Sequence, residues 1–423
     1  MDSRPHLTTT QAAKSGAAAT ARLQEDAGQQ PRLSSSEWVH LLVTGLLVAL
    51  VGYASSVAVV IQGLSAVGAT TDQITSALVA VGFSMGVVAM ALSLRVRMPI
   101  SIAWSTPGLA LLAATGPVQG GFAAAVGAFI ATGLMIMAAG LWPALGRWVG
   151  SLPKPLANGM LAGILLKLCL APFTAMTQVP VLALLVLAAW AIMTRFARLW
   201  AVPAAVLVAL AGMVLGNTGA AVPVADAWPT LTWVEPVFTW EAMVSIALPL
   251  FIVTMASQNI PGLAVLAANN YRPAASPAFL ATGFASAVTA PLGGPTVNFA
   301  AMTAALCAGP DAHPDPGRRY LAAVFSGVGY ILFTAIAGVT ASLVVSSPPI
   351  LIQAVAGLAL IGAFGGALMG AVQDETGRIP ALVTFLVTAS GLSFAGIGSP
   401  FWGLLIGGLL HVLYGAWPSS RKT

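Results

Sequence analysis

The few charges of this chain fall at alternate ends of long apolar runs, and that placement leaves it almost no way to fold in water. There are 17 Lys and Arg and 12 Asp and Glu among 423 residues, while 58% of the residues are hydrophobic. A chain this apolar cannot cover itself with polar surface, so lipid is its solvent.

The same composition removes several classes of function. Cys169 and Cys307 both lie inside apolar segments without CxxC spacing, so neither a disulfide framework nor a zinc site is expected. His6, His40, His313 and His411 are scattered with no HExxH arrangement, and no DxxD or DDxxD spacing is present. No metal, cofactor or enzymatic chemistry is therefore expected. The net charge of +5 needs no nucleic-acid partner, because the excess cations serve topology.

Residues 1–37 read as a disordered cytoplasmic tail, rich in Ala, Ser, Thr and Gln and lacking the apolar core of a signal peptide. Measured against the roughly 20 residues that cross a bilayer, candidate spans lie at about 41–62, 76–94, 120–142, 156–171, 180–194 and 201–216. A second set lies at about 242–268, 275–291, 320–342, 349–371, 379–395 and 400–416. Two shorter stretches, about 100–115 and 294–308, are apolar but broken by Pro and Gly, and counting them as half-helices gives fourteen elements.

Charge placement tests that count. With both termini cytoplasmic, the inner connections and tails hold 16 of the 17 Lys and Arg, from Arg4, Lys14, Arg22 and Arg32 of the first tail to Arg421 and Lys422. The outer connections hold Asp72, Asp226 and Glu235 and no basic residue. Removing one half-helix would invert everything between the two, so the positive-inside rule supports both. Lys167, near the outer end of the fifth element, is the exception and reads most simply as a snorkelling anchor.

The polar connection 217–240 divides the chain into a first repeat, 38–216, and a second, 241–417, followed by a short tail, 418–423. Seven elements in each half give the halves opposite orientations. The expected fold is an all-α polytopic membrane protein with two inverted seven-segment repeats. Paired, Gly/Pro-interrupted segments at matching positions mark a transporter's substrate site.

A half-helix starting at membrane depth exposes unpaired N–H groups and the positive end of its dipole. In the third element Ser105 and Thr106 supply hydroxyls at the start of the helix, with Trp104 beside them and Gly108 just beyond. In the tenth, Gly293 and Gly294 precede Thr296, read as a cap, and Asn298. The eighth element carries Ser257, Gln258 and Asn259 consecutively before Pro261-Gly262, and the first carries Tyr53, Ser55 and Ser56. Ordinary capping and helix–helix glue explain such residues equally well one at a time.

Three stretches in order, SIAWSTPG from Ser101, ASQNIPGLAVL from Ala256, and GPDAHPDP from Gly309 with Arg318-Arg319-Tyr320, resemble the bacterial benzoate/proton symporter family. The resemblance spans about 38–417 and implies the uracil-transporter superfamily fold, with core and gate domains, and inner-membrane uptake of an aromatic carboxylate with protons. It makes a homodimer through the gate domain plausible. Under it, Trp104 and Phe299 border the ring, while Thr106, Gly108, Thr296, Asn298 and nearby N–H groups bind the carboxylate. Tyr53, Ser56, Ser105, Ser257, Gln258 and Asn259 complete the expected set.

The resemblance implies acidic residues in the eighth and tenth elements of the superfamily's nucleobase carriers, whereas this chain has Ser257 and Val297 nearby and no carboxylate deep in either, and a fixed carboxylate there would repel an anion. The proton carrier stays open among Glu241, Asp374, Glu375, His313, His411 and the substrate itself. A carrier of another anion or a nucleobase, or an uncoupled anion channel, are the other readings. The topology is testable: a single cysteine at Thr218 is expected to react with an impermeant thiol reagent added to intact cells, and one at Ser419 is not. The reverse pattern refutes the fourteen-element reading.

Overall fold

The structure is a computed structural model describing residues 33–142, 153–215, 229–345, 348–375 and 377–416. Residues 1–32 and 418–423 of the expected tails, and 217–228 of the connection between repeats, lie outside the described residues.

A helix occupies each of the fourteen apolar intervals. The first half contains α1 (Ser35–Ala66), α2 (Thr71–Val96), α3 (Thr106–Thr115), α4 (Gly121–Leu141), α5 (Lys154–Gln178), α6 (Pro180–Phe196) and α7 (Ala201–Leu215). The second contains α8 (Trp240–Ala268), α9 (Ala275–Thr289), α10 (Ala301–Ala308), α11 (Tyr320–Phe333, continued through a 3₁₀ turn into Ala337–Val345), α12 (Pro349–Val372), α13 (Arg378–Ala389) and α14 (Ser399–Ala416). Among the described residues, eight helices are long and apolar enough to cross a membrane.

Local chemistry sets several boundaries. Thr70 and Gln73 form a reciprocal capping box at the start of α2, and Arg97 ends that helix in the left-handed region. Pro107 and Pro349 sit in first turns, where a missing N–H costs nothing. Large apolar side chains stand exposed on α6 and α14, Val181 at 73% and Val412 at 68%, as acyl chains permit and water does not.

One expectation needs correction. The second broken segment does not become helical at Thr296. Residues Val297–Phe299 form strand β2, paired antiparallel with β1 (Ile102–Trp104), and α10 begins only at Ala301 with Ala300 as an N-cap lacking a side-chain bond. Ile102 faces Phe299, Ala103 faces Asn298 and Trp104 faces Val297. Backbone groups at this depth find no water, and two extended segments satisfy each other where one alone cannot.

Helix packing is dominated by α5 against α12, α4 against α9 and α2 against α11. Glycines allow the last two pairs to touch backbone to backbone. A Cβ on Gly133 would stand 2.8 Å from the Gly283 carbonyl oxygen, and one on Gly283 would stand 2.6 Å from that of Gly133. Gly86 and Gly327 repeat the arrangement between α2 and α11 at 2.5 and 2.7 Å. Gly283→Leu is therefore expected to force α4 and α9 apart and sharply reduce folded protein in detergent, measured by monodispersity and thermal midpoint. Gly362→Ala, where the added methyl meets nothing within 4 Å, is expected to leave both unchanged or slightly improved.

Candidate functional site

The β1–β2 ribbon organises the polar residues of the interior. Ser105 N–H donates to the Thr296 carbonyl at 3.2 Å, and Ala300 N–H donates to that of Ser101 at 3.0 Å, which extends the ladder at both ends. Because the strands are antiparallel, α3 leaves from the end bearing Trp104 and α10 from the end bearing Phe299. The two helix starts thus lie at opposite ends of a short ribbon, about 10 to 15 Å apart at 3.4 Å per residue.

Ser105 caps α3. Its Oγ accepts the Gly108 N–H at 3.2 Å and the Thr254 hydroxyl at 3.0 Å, and Thr254 lies 3.4 Å from the Thr296 hydroxyl. Gly108 itself lies where a Cβ would strike Ser105 and Leu250, so its role is close packing between α3 and α8.

Helix α8 is widened twice, into π turns at Met243–Ala247 and Met255–Asn259. Pro249 and Pro261 follow these turns, and each removes a donor that a regular α-helix needs. Ser257 satisfies itself by donating to the Val253 carbonyl at 2.6 Å. Asn259 Oδ1 accepts the Phe299 N–H at 3.0 Å, and its Nδ2 lies 3.1 Å from Met255 Sδ, so this fully buried amide fastens β2 to α8. Ser286, from α9, holds the same outer edge of β2 by accepting the Val297 N–H at 2.8 Å.

Helix α1 adds an aromatic wall. Trp104 Nε1 donates to Ser56 Oγ at 2.8 Å, and Ser56 donates to the Gly52 carbonyl at 2.7 Å. The Tyr53 ring lies 5.6 Å from Trp104 and stacks on Phe333 at 5.0 Å. Phe299 is fully buried, edge-on to Phe279 at 6.2 Å and tight against Gly262, as a packing residue would be.

The twelve expected residues therefore divide. Ser56, Ser105, Gly108, Ser257 and Asn259 spend their polar atoms on the protein's own construction, and Thr296 pairs with Thr254. Thr106 and Gln258 are half-buried and make no hydrogen bond with any described residue, and buried Asn298 keeps Oδ1 unpaired while its Nδ2 donates to the Phe299 carbonyl at 2.7 Å. Gln258 directly precedes Asn259, the residue that bonds β2. Thr254, Ser286 and Thr303, whose hydroxyl meets that of Ser101 at 2.6 Å, are passed over in the sequence reading. Their only signal is a small hydroxyl inside an apolar run.

The third motif is a clamp. Arg319 donates to the carbonyls of Ala308, His313 and Pro314 and so finishes the C-terminal end of α10, while Arg318 pairs with Asp315 at 3.2 Å. His313 Nδ1 accepts the Asp315 N–H in the same loop. Glu375 is exposed and pairs with Arg378, Glu241 lies against Gly396, and His411 is half-buried on α14. Among the described residues no carboxylate is buried. A separate, partly enclosed cavity of about 70 Å³ is lined by Gln62, Lys167 and Gln353 with apolar neighbours, and by none of the twelve.

The sequence pattern of the family described as "Benzoate membrane transport protein" matches residues 36–413. The chain is 41% identical to "Inner membrane protein YdcO" of Escherichia coli (strain K12) over 88% of its length and 95% of the relative's. It is 32% identical to "Benzoate membrane transport protein" of Acinetobacter baylyi over 88% of its length and 94% of the relative's. Among solved structures, the transmembrane domain of the cyanobacterium bicarbonate transporter BicA superposes with a TM-score of 0.55 at 18% identity, covering 91% of this chain and 99% of that one. SLC26A9 superposes with a TM-score of 0.58 at 14% identity, covering 88% and 65%. These two likenesses concern the fold.

The division of roles is testable in purified protein. Asn259→Leu leaves the Phe299 N–H unpaired in the interior and is expected to cost about 1–3 kcal/mol of stability. Gln258→Leu is expected to leave the thermal midpoint in detergent unchanged, and equal losses in both variants would show that Gln258 is structural too.

Proposed function

This chain belongs to the benzoate membrane transport protein family and is a multi-pass membrane transporter, and we propose that it imports benzoate or a related aromatic carboxylate together with protons. The observation that carries the site is the set of uncommitted polar groups, Thr106, Gln258 and Asn298 Oδ1, beside the ribbon and the Tyr53–Trp104 wall. Flat aromatic faces suit a ring, and the few polar atoms suit one carboxyl group. The start of α3 adds the positive end of a helix dipole for an anion.

The packing pattern supports fourteen segments in two inverted repeats. Shifting each helix number by seven turns the α2–α11 contact into α9–α4, returns α5–α12 to itself, and turns α6–α7 into α13–α14. On this reading α1–α4 with α8–α11 form a core, and α5–α7 with α12–α14 form a gate. Helix α3 packs on α5 and α14, whereas among the described residues no comparable contact joins α10 to α7 or α12. That asymmetry fits a state shut on the α3 side and looser on the other, the half-way situation alternating access requires. The charge bias orients the α3 side outward, in a bacterial inner membrane with cytoplasmic termini.

For proton coupling we infer that the substrate itself is the carrier. With no carboxylate buried among the described residues, a proton crosses most simply on the substrate. Asn298 Oδ1 is an acceptor without a donor, and the hydroxyl of a neutral carboxylic acid supplies one. The runner-up reading, a carrier of another anion, has the bicarbonate transporter's fold in its favour.

In proteoliposomes, labelled benzoate uptake is expected to rise with an inward proton gradient and to be blocked by unlabelled benzoate but not by uracil or sulfate. Gln258→Leu or Asn298→Leu is expected to weaken benzoate binding by about 1–3 kcal/mol in folded protein. Unchanged affinity in both variants would move the site elsewhere. Uptake that ignores the gradient and never accumulates substrate would leave a channel or facilitator.

A further inference from the structure

Lys167 breaks the charge pattern of the whole chain, and its surroundings do not suit a membrane anchor. Helix α5 continues past it to Gln178, eleven residues further, or about 16 Å at 1.5 Å per residue. A lysine side chain reaches only about 6 Å, so it cannot carry its ammonium along the helix to that end. Lys167 also makes no ion pair or hydrogen bond with any described residue.

Two amides share its cavity. Gln62 comes from α1, four residues before that helix ends, and Gln353 from α12, four residues after it starts. Ala113, near the end of α3, and Ile164 and Leu168 of α5 supply apolar wall. Four helices thus bring one cation and two donor-bearing amides to the same level, and Gln62 and Gln353, like Lys167, make no hydrogen bond with any described residue. An ammonium, two amide NH₂ groups and an aliphatic wall are the complement of a carboxylate on an apolar body.

We propose that Lys167, Gln62 and Gln353 form an anion station on the seam between α1–α3 and α5–α12, where a monocarboxylate pauses on its way between the α3 side of the membrane and the ribbon. Its place on a route to the ribbon rests on the transport reading above. Its selectivity for anions does not.

The charge test uses single cysteines at Gln353 or Gln62 in a background carrying Cys169→Ala and Cys307→Ala. Each is reacted with an anionic and a cationic methanethiosulfonate, and rates are normalised to a free thiol. The anionic reagent is expected to be favoured roughly three- to tenfold. Lys167→Met is expected to abolish the preference and Lys167→Arg to keep it. A preference indifferent to Lys167→Met, or no reaction at either cysteine, overturns the station.

A second measurement reads the route. Lys167→Met is expected to raise the benzoate KM severalfold with kcat nearly unchanged and to flatten its dependence on ionic strength, while Lys167→Arg restores both. A fall in folded protein with unaltered KM would make Lys167 an anchor and sink the proposal. If the wild type does not transport benzoate but the reagent preference holds, the substrate reading fails and the station stands.

Discussion

Backbone N–H and C=O groups inside a bilayer must be paired within the protein, and the interior of this molecule is arranged around one answer to that demand. Two interrupted segments, far apart in sequence, lie side by side as β1 and β2 and complete each other's hydrogen bonding. Edges of a two-stranded ribbon remain needy, and side chains attend to them. Asn259 takes the Phe299 N–H from α8, and Ser286 takes that of Val297 from α9. Removing the ribbon would leave α3 and α10 starting nowhere, which is why the neighbouring helices converge on it.

That arrangement explains why so many polar residues of the interior serve construction. On the proposed reading, recognition is left to a small remainder: Thr106, Gln258 and one oxygen of Asn298. A site built from few uncommitted atoms discriminates by shape and by charge of one sign, and the absence of buried carboxylates among the described residues keeps it open to anions.

Helix positions were legible because lipid imposes a length on every crossing and leaves charges only at the ends. The motif at Ser101 to Gly108 also announced a cap and an aromatic neighbour, and Ser105 and Trp104 occupy those places. The tenth segment was not legible. Thr296 followed by an apolar run reads as a capped helix, and nothing local reveals that Ile102 to Trp104 waits across the interior to pair with Val297 to Phe299. Long-range pairing overrides propensity in such short stretches. The role of Asn259 was hidden for the same reason, since its partner lies 40 residues away. Lys167 looked like an anchor because the apolar run seemed to finish near residue 171, whereas α5 continues through Pro172 to Gln178.

The two widened turns of α8 act on the helix as phase shifters. An α-helix advances about 100° per residue, so each additional residue absorbed in a wide turn sets the later sequence off by about that angle from a wheel drawn through the earlier sequence. Pro249 and Pro261 stand directly beyond these turns. Faces before Met243, between the turns, and beyond Asn259 therefore follow three separate helical wheels. A single wheel drawn through Trp240–Ala268 would set Thr254 and Asn259 about 140° apart, although both address the same strand pair and its flank. Deleting one residue within a wide turn would close it to an ordinary α turn and leave both halves facing as they do, whereas deleting one outside it would turn everything beyond by about 100°.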